Sequence, residues 1–224
     1  MNLILQAVLS PEDLGRIRRD LDVIAWKPGK RTAGAAARGV KENLQADGED
    51  KRTHALERFV ADALARHPLF EIAARPKRHS RILFSRYEPG MSYGAHTDDA
   101  LMGAADNKLR TDLAFTLFLA DRAAYEGGAL VMESALGEQE VALEAGDAFL
   151  YPAGSIHRVA PVTEGVRLAA VGWVQSLIGD ESQREILFDL SLTRARLAGA
   201  AAPREEILKL DKSISNLLRM WARL

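Results

Sequence analysis

Apolar positions along the chain change period twice. Ser10 can cap a helix whose first position is Pro11, and Leu14, Ile17 and Leu21 then recur at helical spacing. Leu56, Phe59, Val60, Ala63 and Leu64 form a second such stripe within residues 52–65. Residues 27–48 are rich in Gly, Ala and charge and have little periodicity, which predicts a mobile loop of the kind that covers a substrate. Ile82, Phe84 and Tyr87 then open a series of short apolar runs at 113–119, 129–132, 140–143, 148–151, 158–160 and 166–174. Glu126-Gly127-Gly128, Gly146-Asp147, Pro152-Ala153-Gly154 and Glu164-Gly165 punctuate them. Runs of this length and spacing predict an antiparallel sandwich or barrel over residues 78–177.

Beyond residue 178 the period is helical again. Ile186, Leu190 and Leu197 share a face, residues 199–203 make a turn, and Ile207, Leu210, Ile214, Leu217, Trp221 and Leu224 alternate three and four apart. That seam is under three heptads long. It reads as a helical hairpin packed on its own β domain, or as a face shared partly with another subunit, which would make the chain a homo-oligomer. The expected organisation is α+β with a mainly β core: a helical and mixed region at 1–77, the β domain at 78–177 and a helical extension at 178–224.

Composition narrows the chemistry. Of 224 residues, 47% are hydrophobic and 27% charged, a globular balance. Lys plus Arg is 30 against 31 for Asp plus Glu, so no overall field draws the chain to phosphates, which speaks against a nucleic-acid partner. The absence of cysteine excludes disulfides, thiolate metal sites and cysteine nucleophiles, so any metal must be held by His, Asp or Glu. The apolar start at Met1 to Leu9 is short and lacks a basic leader, and no run of about 18 apolar residues exists to span a membrane. The cytoplasm is the expected compartment.

Five histidines are available. His54, in a polar helical stretch, and His67, before a Pro-containing helix end, read as surface residues, and His79 as the exposed start of a strand. His96 lies in Tyr93-Gly94-Ala95-His96-Thr97-Asp98-Asp99. On an extended segment His96 and Asp98 face one point, while Asp99 faces away and reads as structural. An imidazole and a carboxylate side by side can hold adjacent positions on a divalent metal, and His157 supplies a third candidate at the start of another strand. Together they make a 2-His-1-carboxylate set, which leaves three positions open on iron(II). H-x-D alone is weak evidence, because a polar strand end with a hydrogen-bonded histidine fits it equally well. Arg167, ten residues past His157 in an otherwise apolar strand, is either at the rim or inside with an anion. A dicarboxylate would suit its fork geometry.

With these residues in place the chain resembles the iron(II)- and 2-oxoglutarate-dependent oxygenases. More narrowly, Arg86-Tyr87, Tyr93-Gly94-x-His96, Arg110-Thr111-Asp112-Leu113, Thr116-Leu117-Phe118-Leu119 and His157-Arg158-Val159-x-Pro161-Val162 resemble the PKHD-type hydroxylases, a bacterial group related to prolyl 4-hydroxylases and associated with iron uptake. The resemblance implies a double-stranded β-helix, or jelly roll, with N-terminal helices and a C-terminal helical hairpin. It implies Fe(2+) on His96, Asp98 and His157, and Arg167 on the far carboxylate of 2-oxoglutarate. Tyr93 and Tyr87 become partners of the cosubstrate or of the residues that ligate the metal, or else aromatics of the barrel wall. O2, an unidentified small-molecule or peptidyl substrate, release of succinate and CO2, and L-ascorbate as an aid to keeping iron reduced are implied in the same way. Two rivals share the ligands: a sensor that binds iron and 2-oxoglutarate without turnover, and a cupin-like metal enzyme that does not use 2-oxoglutarate.

Overall fold

The helices form where their caps are written. In the computed structural model, which describes every residue except Ala33, Ala35 and Ala36, Ser10 and Asp13 close a reciprocal capping box on the helix Pro11–Val23. Asp50 caps Lys51–Arg66 through the Arg52 N–H. Pro68, expected near a helix end, instead starts a third helix, Pro68–Ala74, because a first-turn residue needs no N–H. The stripes of these helices (Leu14, Ile17, Leu21, Leu56, Val60, Leu64 and Phe70) are buried in one cluster with Phe84, Leu113, Phe115, Leu117 and Leu150.

Those partners belong to the larger of the two main antiparallel sheets, beside which Tyr125–Gly127 pairs with Val162–Gly165 and Leu101–Met102 with Leu109–Arg110. Its spatial order is Leu3–Leu5, Ala148–Pro152, Leu113–Phe118, Arg167–Ser176, Leu83–Tyr87, Leu44–Ala46, Trp26–Pro28, with Pro76–His79 also paired to Arg167–Ser176. The smaller sheet runs Gly137–Val141, Leu130–Ser134, His157–Val159, Ser92–His96, Lys41–Glu42. The two sheets meet through Ala114, Phe118, Phe149 and Tyr151 on one side and Leu130 and Met132 on the other. This is the expected jelly roll, with helices at both ends of the chain.

Strand Leu113–Phe118 is buried at every position because both of its faces are covered. Odd residues face the helices, and Ala114 and Phe118 face the second sheet. Along Arg167–Ser176 the opposite parity holds: Ala170 and Val174 join the helix-side cluster, while Arg167, Val171 and Trp173 face a cavity between the sheets. Register thus decides which side Arg167 takes.

The mobile loop expected over 27–48 is not what forms. Trp26–Pro28 and Leu44–Ala46 extend the large sheet and Lys41–Glu42 extends the small one. Strands of two or three residues are too short to show a period, and their order comes from ladder bonds to Leu83–Tyr87 and Ser92–His96. Ala33, Ala35 and Ala36 within that stretch lie outside the described residues.

The C-terminal hairpin forms as Glu181–Gly199 and Arg204–Trp221. Buried Arg184 anchors it by donating to the carbonyls of Ile178 and Gly179, and Leu187 and Phe188 pack inward. Arg194 and Asp211 link the two helices at 2.9 Å. The seam positions of the second helix, from Ile207 to Trp221, are half-buried and Leu224 is exposed. No described helix is long and apolar enough to cross a membrane.

Phe115, 1% exposed between sheet and helices, tests this packing. Phe115→Ala is expected to lower unfolding stability by about 3–5 kcal/mol, read as a drop in the urea midpoint at unchanged slope.

Candidate metal centre

Ser92–His96 and His157–Val159 are neighbours in the small sheet, and their register sets His96 directly opposite His157, with a bulge between His157 and Val159. The two imidazoles lie 4.3 Å apart between centroids. The first strand ends at His96, and the chain then turns, with the Asp98 N–H donating to the Ala153 carbonyl at 3.3 Å. That turn brings the Asp98 carboxylate to 4.0 Å from His157 Nε2. One ligand atom from each of His96, Asp98 and His157 lies within 4.8 Å of the others. The three residues singled out from the sequence therefore converge on one point.

The tautomers are set by backbone. His96 Nδ1–H donates to the Gly94 carbonyl at 2.8 Å, and His157 Nδ1–H donates to the Ser155 carbonyl at 3.0 Å. Carbonyl oxygens only accept, so each Nε2 keeps a lone pair for the gap between the rings. Tyr93 stacks on His96 at 3.7 Å and 19°, and Tyr151 meets His157 edge-on at 5.2 Å. Burial, with the His157 imidazole adding to it, holds the His96 pKa down at about 4. The same burial pushes Asp98 above its ordinary range, opposed in part by His157 and by the Trp173 indole N–H, which approaches without reaching hydrogen-bond geometry. Asp98 Oδ2 is buried with no partner. Two imidazoles whose Nε2 atoms face each other and a carboxylate with an unsatisfied buried oxygen form a donor set that suits a divalent cation.

Arg167 is 1% exposed, and its Nε and Nη2 have no hydrogen-bond partner. It pairs in register with Tyr87, whose ring centroid lies 5.2 Å from the guanidinium carbon, and Phe118 flanks it at 5.4 Å. Among the described residues no carboxylate lies within ion-pair distance of it. Of the two positions the sequence left open, the interior one is correct. The Gly127-Gly128 turn adopts φ of +71° and +62°. A Cβ on Gly128 would lie 2.9 Å from Arg167 Cδ, so the turn is shaped around the arginine stem.

His96, Asp98, His157, Arg167, Tyr87 and Tyr93 line one cavity of about 80 Å³. Tyr87 is buried and Tyr93 half-buried in its wall; burial raises both phenols, so they stay protonated. Asp99, expected to face away, also lines the mouth, because strand alternation stops at His96. Sequence reasoning missed Lys41, Thr116, Tyr151 and Trp173, which line the cavity too. Burial lowers Lys41 to about 8. Only the in–out parity of the strands could have pointed to the last three. His54 and His67 are half-buried rather than surface residues, their rings bonded to the carbonyls of Gly48 and Gln6, and His79 is exposed as expected. None of the three is near the site.

The family model described as the 2OG-Fe(II) oxygenase superfamily matches residues 82–175. A PKHD-type hydroxylase of Synechococcus elongatus is 46% identical over 99% of this chain and 100% of its own. One from a Picosynechococcus is 49% identical over 96% of both. Among solved structures, a prolyl hydroxylase from Trichoplax adhaerens, in complex with a hypoxia inducible factor peptide fragment, shares the fold at a TM-score of 0.58 and 13% identity. It aligns with 83% of this chain and 86% of that one.

The pKa of His96 carries a stability signature. Between about pH 4 and 6.5 the unfolded chain holds a proton on this ring that the folded, metal-free protein does not, so acidification through that window favours unfolding. Urea denaturation of metal-free protein across this range is expected to show stability falling as pH falls, with a shallower slope in His96→Gln.

Proposed function

Since the chain belongs to the PKHD-type hydroxylases of the 2OG-Fe(II) oxygenase superfamily, we propose that His96, Asp98 and His157 hold its ferrous ion and that Arg167 holds the far carboxylate of 2-oxoglutarate. As a member of this group it is an oxygenase that uses iron, 2-oxoglutarate and O2. The observation that carries the residue assignment is a single cavity with two kinds of unmet demand. One end has lone pairs and an orphaned carboxylate oxygen, and the other has a buried guanidinium without an anion.

When bound, iron and 2-oxoglutarate would supply the oxidation by O2, one oxygen atom going into succinate as CO2 is lost and the other turning a substrate C–H into C–OH. The chain's own residues do the rest. The Gly94 and Ser155 carbonyls hold the Nδ1 hydrogens, so in the neutral rings Nε2 is the nitrogen left to donate to a metal, and Tyr93 and Tyr151 restrain the ring planes. Arg167 sits at fixed depth between Tyr87 and Phe118. Its fork orients a diacid so that the other end points at the metal ligands. Apolar walls from Leu130, Val159 and Val171 exclude water. Burying a cation without a partner is costly, and this favours a reading with an anionic cosubstrate over a cupin-like enzyme that dispenses with it.

Ascorbate as reductant, a link to iron uptake, a cytoplasmic location and pairing of copies through the C-terminal helices complete the proposal on family kinship and on the helical seam. The substrate is a small molecule or a peptidyl group.

Anaerobic titration with Fe(II) and then 2-oxoglutarate tests the assignment. A visible metal-to-ligand charge-transfer band is expected, and its absence would overturn it. His96→Ala and Asp98→Ala are expected to lose iron binding. Arg167→Ala should keep iron and weaken 2-oxoglutarate by roughly 2–4 kcal/mol, or roughly 30- to 1,000-fold, as expected for a desolvated charge pair losing one partner. Unchanged cosubstrate affinity in that variant would refute the role of Arg167.

A further inference from the structure

The cavity holds a second buried cation that this function does not use. Lys41, in the edge strand Lys41–Glu42 paired with Tyr93, is 5% exposed. Its Nζ lies 5.0 Å from the Tyr93 ring centroid and donates to Thr32 Oγ1 at 3.2 Å. The Thr32 hydroxyl hydrogen is committed elsewhere, to Gln45 Oε1 at 2.6 Å or the Gly29 carbonyl at 3.1 Å, so its lone pair faces the lysine. Among the described residues no carboxylate lies within ion-pair distance of Nζ, and Thr32 is its only hydrogen-bond acceptor. An ammonium has three hydrogens to place. Thr32 and Lys41 both open on the cavity that contains His96, Asp98 and Arg167.

Charge matching shows what is missing. On the reading above, Asp98 and the near carboxylate of 2-oxoglutarate together offset a ferrous ion, and the far carboxylate offsets Arg167. Asp98 is the acid whose field reaches Lys41, and with its charge committed to the ion the lysine has no counterion of its own. Asp99 sits at the exposed mouth, where water screens it, and is beyond ion-pair reach of the lysine. A buried lysine with two free N–H groups, propped by a committed hydroxyl, is a receptor for one further anion.

We propose that Lys41 is a specificity-determining residue that receives a carboxylate of the substrate, so that this hydroxylase acts on acids rather than on neutral compounds. The proposal rests on the iron and 2-oxoglutarate reading and adds the substrate class to it. The lysine is a point-charge reader with no planar fork, so it selects for charge and tolerates variety in the rest of the molecule.

The test uses whole protein loaded anaerobically with Fe(II) and saturating 2-oxoglutarate, titrated with butyrate and with its neutral isostere butyramide. Binding is followed by heat and by the shift of the visible charge-transfer band. Butyrate is expected to bind at least about tenfold more tightly than butyramide, and Lys41→Gln to bring the two within about twofold. Lys41→Arg keeps the charge and is expected to keep the preference. Should Lys41→Gln not fold, Lys41→Met, which retains the aliphatic stem against Tyr93, gives the same contrast. Equal affinities in the native protein would overturn the proposal, as would a preference untouched by removing the lysine. Loss of the band on adding butyrate would also overturn it, since the anion would then be displacing cosubstrate from Arg167. No band before any anion is added would overturn the oxygenase reading and this subsite with it, whereas a normal band with equal affinities would overturn the subsite alone.

Discussion

Side chains on a strand alternate, so a slip of one residue in the register of Arg167–Ser176 would move Arg167 out of the cavity and into the apolar layer under the helices. That layer holds Ala170, Val174, Phe115 and Leu117 against Leu14, Ile17 and Leu56, and has no group to receive a guanidinium. The cost of that misplacement, together with the apolar residues it would expose, specifies the register strongly. The same ladder fixes Leu113–Phe118, and through the second sheet it supports the pairing of His157 with His96. The geometry of the site is thus a by-product of where the core wants its aliphatic residues.

Much of this was legible because it lies in strands with strong patterns. The runs around 113–119, 148–151 and 166–174 are apolar for a reason the structure makes plain: each is covered by helices on one face and by the other sheet on the second. His96, Asp98, His157 and Arg167 were legible because charged or imidazole residues stand out against such runs, and their spacing resembles a known ligand pattern. The cap at Ser10 was a local signal that tertiary structure did not override.

What escaped was either too short or too apolar to signal. Lys41–Glu42 has only two residues, so no periodicity could lift Lys41 out of a stretch that reads as a loop. Tyr151 and Trp173 sit in runs where an aromatic looks like ordinary core, and only the parity of their strands turns them toward His96, Asp98 and His157. Asp99 was misplaced because alternation was carried one turn too far: regular strand stops at His96. In each case the missing information was long-range pairing, which a local pattern does not contain.

The turn at Gly127-Gly128 bears on how such a pocket can diverge. Gly128 lies against the aliphatic stem of Arg167, and its N–H donates to the Pro161 carbonyl, so the turn cannot back away. A side chain introduced there would meet both Arg167 Cδ and Val162 Cγ2 at 2.9 Å, so the arginine stem or the neighbouring strand would have to shift. This buried bend, pinned to the opposite strand, therefore works as a calliper stop that sets how far the guanidinium of Arg167 reaches into the cavity.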